Sequence, residues 1–336
     1  MTAGGSEGFR LLGLAVLPGA DPGQGSQAGR AGRDEARPES ATRAAGAAGA
    51  SAQADFEIPA GSALFDGHFP GRPILPGIAH LALVRHALRE LAARRFAAED
   101  TEIVAVHNLR LRLPVNPGDR LALRLAANGA GGIRFDLRRG ADLVSQGEVR
   151  AAGPGASTSP PPPAPRPGTA ASSVAEPADA TPPGPGGGFP PTAALLPHAP
   201  PARLLSAVLS AGATAIVCAA LVPAGHPLAA QTAAPGFLAL EIAAQAAGCL
   251  AALRRQAAGG GAPAIGYLVG ARHAELAPSL PCGVQLRVSA RLSGSAAALA
   301  VYDFALHPAD ADAAPPINAP APLAAGTLST FLPATG

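Results

Sequence analysis

A chain of 336 residues is long enough to bury two cores of ordinary size. Its formal net charge is +2 and only 14% of its residues are charged, which excludes a broad electrostatic footprint for nucleic acid and leaves any basic patch a local one. Cys218, Cys249 and Cys282 are odd in number, too far apart for a zinc spacing and set among apolar neighbours, so they are expected as reduced core residues of a cytoplasmic protein.

Arg10 is the only basic flank of the short apolar run Leu11 to Leu17, a weak match to a signal peptide; Phe9 to Leu17 is expected as a first strand or a short apolar segment. From residue 18 to 54 the chain turns to Gly, Ala, Ser and charge with almost nothing large to bury, and a disordered insertion is expected. Gly23-Gln-Gly25 within it lacks the strand before and the helix after that a dinucleotide fingerprint needs. Gly4-Gly5-Ser6-Glu7-Gly8 spells a nucleophile elbow by chance in a glycine-rich terminus.

Order begins where Phe56 and Ile58 alternate with polar residues. Pro70, Pro73 and Pro76 then fix φ and remove N–H groups, so Phe65 to Ile78 must cross the protein as a stiff loop carrying His68. Pro76-Gly77 opens an apolar helix from Ile78 to about Phe96. A rigid loop that delivers a histidine to a helix N-terminus supplies a base near pH 7 and unpaired N–H groups for a developing oxyanion. Arg85, Arg89, Arg94 and Arg95 read as a solvated helix face. Ile103 to Leu113, Arg120 to Leu125, Ile133 to Arg138 and Leu143 to Arg150 then alternate as strands, with turns at Asn116-Pro117-Gly118-Asp119 and Asn128-Gly129. One long helix followed by an antiparallel meander predicts an α+β layer fold.

Residues 151–191 have a linker's composition, and as a flexible coil would span roughly 35 Å. The plan then repeats. Leu195-Leu196-Pro197-His198 and Pro200-Pro201 precede strands through Val222, and Pro235-Gly236 opens a helix to about Gln256 that glycines 259 to 261 stop. Ile265 to Leu276, Val284 to Leu292, Leu299 to Leu306 and Thr327 to Leu332 form a second meander, with Pro281-x-Gly283 matching Pro117-Gly118. The second helix ends in Arg254-Arg255 and carries Glu241, so it reads as a buried soluble helix and no membrane span is expected. A lone glutamate there needs a partner or a function, and apolar surroundings would raise its pKa.

Gly67-His68-Phe69-Pro70-Gly71-Arg72-Pro73, two residues, then Pro76-Gly77 resembles the signature of the β-hydroxyacyl-acyl-carrier-protein dehydratases, proteins of the hotdog fold. The resemblance implies a double hotdog: an N-terminal domain over 1–150, a linker over 151–191 and a C-terminal domain over 192–336, each an antiparallel sheet wrapped around one long helix. It makes His68 catalytic and Gly77 the N–H donor to the thioester carbonyl. The family's acid stands fourteen residues after the histidine, where this chain has Ala82. In the second half, Gly236 followed by Glu241 and Gln245 resembles the family's helix, with Glu241 in the acid position. His226 stands fifteen residues before Glu241 without a proline loop, a weak claim to a second catalytic histidine. Because the family pairs the histidine of one subunit with the carboxylate of the other, an intramolecular pseudo-dimer would build one intact site from His68, Gly77 and Glu241. The opposite site, His226 with Ala82, would lack its acid.

The fused pair resembles the two hotdog partners of bacterial aryl-polyene pathways. The implied reaction is dehydration of a 3-hydroxyacyl thioester on an acyl-carrier protein to the trans-2-enoyl thioester, with His68 as base and Glu241, kept partly protonated, as acid. Phe69, Pro76, Gly236 and Gln245 are expected around the substrate, and Arg72, Arg85 and Arg89 against the acidic carrier protein. No metal or redox cofactor is required. Two rivals share the fold: a non-catalytic scaffold that binds the carrier protein, and a thioesterase.

Overall fold

The computed structural model describes residues 8–17, 51–96, 101–128, 131–152, 188–230, 232–260, 264–309 and 321–333. The expected insertion over 18–54 lies outside the described residues as far as position 50, and the expected linker over 151–191 does so from 153 to 187.

The first half contains β1 (Arg10–Leu17), β2 (Ser51–Glu57), α1 (Ala79–Phe96), β3 (Glu102–Leu111), β4 (Arg120–Ala127), β5 (Ile133–Arg139) and β6 (Asp142–Ala152). The second contains the single turn α2 (Thr192–Leu195), β7 (Leu205–Ala211), β8 (Ala215–Leu221), β9 (Ala233–Pro235), α3 (Leu238–Ala257), β10 (Tyr267–Leu276), β11 (Ser279–Pro281), β12 (Gln285–Ala296), β13 (Leu299–Pro308) and β14 (Ala324–Phe331). Residues 51–54 correct the expectation of a disordered insertion. Ala52, Ala54 and Phe56 turn inward at alternate positions, so small side chains with a period of two are enough for β2.

Twelve strands form one antiparallel sheet in the order β1-β2-β4-β5-β6-β3-β10-β14-β13-β12-β8-β7. The order is its own mirror image about the β3·β10 pair, where Arg110 lies opposite Gly270 and His107 opposite His273. β9 and β11 pair apart from it. The expected match of Pro117-Gly118 with Pro281-x-Gly283 appears as repeated hydrogen bonds: the Gly118 N–H donates to Ile58 O just after β2, and the Gly283 N–H to Val222 O just after β8. Both glycines hold a φ near +80°, which a side chain would strain.

α3 is built of Ala and Leu with Gly only at 248, packs on strands of its own half, and ends at Gly259 with φ +78°. Arg254 and Arg255 in its last turn complement the helix dipole. One continuous apolar core runs through both halves, from Phe56, Leu81 and Phe135 to Phe237, Leu250 and Phe304. Among the described residues no helix is long and apolar enough to cross a membrane. Cys218 and Cys249 are buried free thiols and Cys282 is a half-buried one.

The arginines of α1 require a correction, because they do not all form a solvated face. The Arg85 side chain is 8% exposed and faces Glu102 at 3.6 Å, with its guanidinium over the Phe237 ring of the second half; Arg89 pairs with the same carboxylate at 2.5 Å. A carboxylate at the start of β3 draws both inward, a pairing that helix periodicity alone cannot reveal.

Candidate active site

The loop before α1 is held from several sides. His68 accepts from the Ile74 N–H through its backbone oxygen, and Phe69 and Arg72 exchange backbone hydrogen bonds. Gly67 is required twice over: its φ is +78°, and a Cβ there would come within 2.0 Å of the carbonyl oxygen of Ala199 in the second half. Ala199 in turn donates its N–H to Gly67 O at 3.0 Å. The loop that carries His68 is therefore docked on the segment that carries His198.

His68, His198 and Glu241 meet at this dock, each nine-tenths buried, with one donor atom from each all within 4.8 Å of one another. His68 Nδ1 lies 2.8 Å from Ile74 O, which assigns the proton to Nδ1 and leaves Nε2 as the acceptor. Burial lowers the His68 pKa below its ordinary 6.5 although the Glu241 charge pulls it upward, so the ring is neutral at pH 7. Phe69 stacks on His68 with ring centroids 4.2 Å apart and meets His198 edge-on, fixing both rings.

Glu241 differs from the expectation of a raised pKa. Burial does push the carboxyl upward, but the hydrogen bond from His198, the charges of His68 and His198 and the hydrogen bond from Gln245 outweigh it and hold it down to about 2. His198 Nε2 stands 3.5 Å from Glu241 Oε1. Gln245 donates to Glu241 Oε1 and Ala202 O and accepts from the Leu204 N–H, so its amide positions the carboxylate rather than offering itself to a ligand.

A cavity of about 360 Å³ opens on this cluster. Gly77 lies on its wall, and the Gly77 N–H has no hydrogen-bond partner among the described residues. Glu241, Ala244, Gly248, Ala251 and Arg255 line it at helical spacing, so it follows one face of α3 from Glu241 to Arg255, roughly 21 Å. His80 lines it too: burial drives its pKa down to about 4, and its buried Nδ1 makes no hydrogen bond. Exposed Arg72 and Arg112 also lie along it.

A smaller cavity lies alongside, lined by Asp66, His68, Pro76, His226 and Glu241. This corrects the placement of His226 at an opposite site with Ala82. His226 shares the neighbourhood of Glu241, its pKa lowered by burial to about 4 against the pull of that carboxylate, and its Nδ1 accepts from the Leu228 N–H. Ala82 is fully buried in the core.

Of the expected site residues the structure brings His68, Gly77, Glu241, Gln245 and Pro76 to the two cavities. Phe69 touches the histidines instead of lining either one. Gly236 is a correction: it lines neither cavity, and its N–H donates to Pro278 O, so it is not available to a substrate. Arg72 lies at the larger cavity, whereas Arg85 and Arg89 are drawn to Glu102 and line neither. The residues that sequence reasoning missed are His198, His80 and Arg112. The Leu-Pro-His run held the signal for His198, but nothing local says that this ring meets Glu241 forty-three residues later. His68, His198 and Glu241 could together chelate a metal ion, using the same atoms that proton transfer would use.

Residues 44–148 match the ApeI-like family model, described as ApeI dehydratase, and residues 190–335 match the ApeP-like model, described as ApeP dehydratase. The 3-hydroxyacyl-[acyl-carrier-protein] dehydratase FabZ of Geobacter metallireducens is 36% identical over 73 residues, 19% of this chain and 46% of its own. That of Syntrophobacter fumaroxidans is 34% identical over 94 residues, 26% of this chain and 64% of its own. The chain thus spans less than two thirds of the length of these relatives. The solved dehydratase domain of PpsC from Mycobacterium tuberculosis, in complex with C12:1-CoA, is 16% identical and superposes with a TM-score of 0.52 over 84% of this chain and 94% of its own. The fold is a double hotdog.

Proposed function

We propose, for a chain in which an ApeI-like dehydratase domain precedes an ApeP-like one, that the two form a single 3-hydroxyacyl-thioester dehydratase with one composite active site. The observation that carries this reading is the convergence of His68 from one half with His198 and Glu241 from the other beside the free Gly77 N–H. The two domains are taken as 1–150 and 192–336.

Dehydration needs a base for the α-proton, stabilisation of the enolate-like oxygen and an acid for the departing hydroxyl. Neutral His68 removes the α-proton through Nε2. The Gly77 N–H, two residues before the start of α1, stabilises the oxygen that gains charge, a contribution typically of about 10²- to 10³-fold. With Glu241 ionised at rest, its carboxylate, positioned by His198 and Gln245, accepts a hydrogen bond from the substrate hydroxyl, and the proton that His68 has taken from the α-carbon is the one given to that hydroxyl as C–O breaks. Water and the trans-2-enoyl thioester leave, and His68 is neutral again. The acyl chain lies along α3. A carrier protein's acidic surface meets Arg72 and Arg112, and the enzyme works in the cytoplasm, where its thiols stay reduced.

The test is formation of the enoyl thioester from a 3-hydroxyacyl thioester, followed by its absorbance, with wild type and the Glu241→Gln and His198→Ala variants. Wild-type turnover with a loss of about 10²- to 10⁴-fold in each variant is expected. The double variant should be little worse than either single one, as for groups acting as a unit. No water loss would leave the carrier-binding scaffold, and release of free acid and thiol would make the protein a thioesterase.

A further inference from the structure

A second cluster of metal-ligating side chains lies away from the active site, at the seam between the halves. His107 on β3 stands directly opposite His273 on β10, and their Nδ1 atoms are 3.1 Å apart. Glu275, two residues along β10 and so on the same face as His273, brings Oε1 to 3.7 Å from His273 Nε2. One donor atom from each of the three lies within 4.8 Å of the others, and all three residues are half-buried. We propose that His107, His273 and Glu275 bind a divalent transition-metal ion, zinc in the first instance, which clips the two halves together.

The geometry argues for this occupant in three ways. Two imidazole nitrogens, each about 2.0–2.1 Å from a tetrahedral zinc, stand roughly 3.3 Å apart, close to the separation here. Two imidazoles and a carboxylate are a donor set suited to zinc and its neighbours, and unsuited to calcium or magnesium. The carboxylate is also oriented from outside: Arg150, across Ala105 in the next row of the sheet, binds Glu275 Oε2 at 2.8 Å and leaves Oε1 to the histidine side. Holding a ligand by its other oxygen is the usual work of groups behind a metal site. The guanidinium brings its positive charge to the outer oxygen of the carboxylate.

Three protein donors leave a position for water, so the site is a staple and not a closed structural centre. Its ligands come from both halves, so an ion bound there stabilises the β3·β10 pairing in proportion to its concentration over its dissociation constant.

The experiment uses the full chain stripped with chelator. Zn²⁺ is titrated by calorimetry and Co²⁺ by its visible absorption, for wild type, His107→Ala, His273→Ala and Glu275→Gln, with His198→Ala as the control for the active-site cluster. One Co²⁺ of tetrahedral spectrum per chain is expected. Affinity should fall in either histidine variant by more than the ~10- to 100-fold typical of losing an outer partner, and stay unchanged in His198→Ala. The thermal midpoint should rise with Zn²⁺ in wild type and not in the variants. Unchanged affinity in the histidine variants, its loss in His198→Ala instead, or no saturable binding to wild type would overturn the proposal. The wild-type titrations and the mild Glu275→Gln change decide the matter even if an alanine variant folds poorly.

Discussion

The first turns of α1 and α3 occupy corresponding places in the two halves and carry different residues there. α1 follows a loop pinned by three prolines that carries His68, and its fourth residue is the fully buried Ala82. α3 follows a looser approach without that proline run, and its fourth residue is Glu241, tied to His198 and Gln245. On the function proposed above, each half supplies what the other lacks. At Ala82 the helix turn is plain core, and the proline loop before it docks through Gly67 on the Ala199 segment of the second half. The proposed function requires that a scaffold repeated within one chain share out the groups of a reaction, with the seam bringing them together.

The largest effect that could break this comparison is on turnover. His68→Ala should reduce the dehydration rate by about 10²- to 10⁴-fold, whereas His226→Ala, removing a neutral ring in the smaller cavity, should stay within about tenfold of wild type. Measured kcat on folded protein checks it, and equal losses would make the two loops equivalent. Next is an attempt to restore the missing acid: Ala82→Glu puts a carboxylate into a fully buried site, so it should destabilise the fold by roughly 3–5 kcal/mol in urea unfolding without adding activity. Retained stability would show room that the packing does not provide.

Acid should act on both halves at once. His80 of the first and His226 of the second have folded-state pKa values lowered from 6.5 to about 4. Between those values the unfolded chain binds the protons that the folded one refuses, so stability falls as pH drops from 6.5 towards 4, by about 1.4 kcal/mol per pH unit for each ring. Glu241, lowered from 4.5 to about 2, adds a loss that begins only below pH 4.5. Unfolding midpoints across pH 4 to 7 should follow this slope in wild type and flatten in a His80→Leu variant. The smallest effect is at the cavity mouth. Arg72→Glu with Arg112→Glu should raise KM for a carrier-bound substrate about tenfold at low salt, less at high salt, and leave a small thioester analogue unaffected.

The sequence made the architecture legible because its signals were periodic. Strands alternated, helices opened at Pro-Gly, and the Pro117-Gly118 turn had its counterpart in Pro281-x-Gly283. β2 began earlier than expected because Ala52 and Ala54 bury as completely as larger residues while reading as low complexity. The site was half legible. His68, Gly77 and Glu241 stood in a long motif and on an apolar helix, where composition alone makes them conspicuous. His198 depends on the dock of Ala199 on Gly67, 132 residues apart, and the inward turn of Arg85 depends on Glu102 from a neighbouring strand. Neither leaves a local trace. The sign of the Glu241 shift was missed for the same reason, since apolar neighbours in sequence concealed two histidines in space.

The β3·β10 pairing joins two stretches of one polypeptide, so its closure is first order. Two subunits made separately lose a shared site on dilution, and a surplus of either stands idle. Here the ratio is one to one by construction. Tethered partners experience effective concentrations in the mM range, at which a seam of only about 10 µM intrinsic affinity is closed roughly 99% of the time. Rate should therefore remain proportional to enzyme down to the highest dilutions an assay can reach.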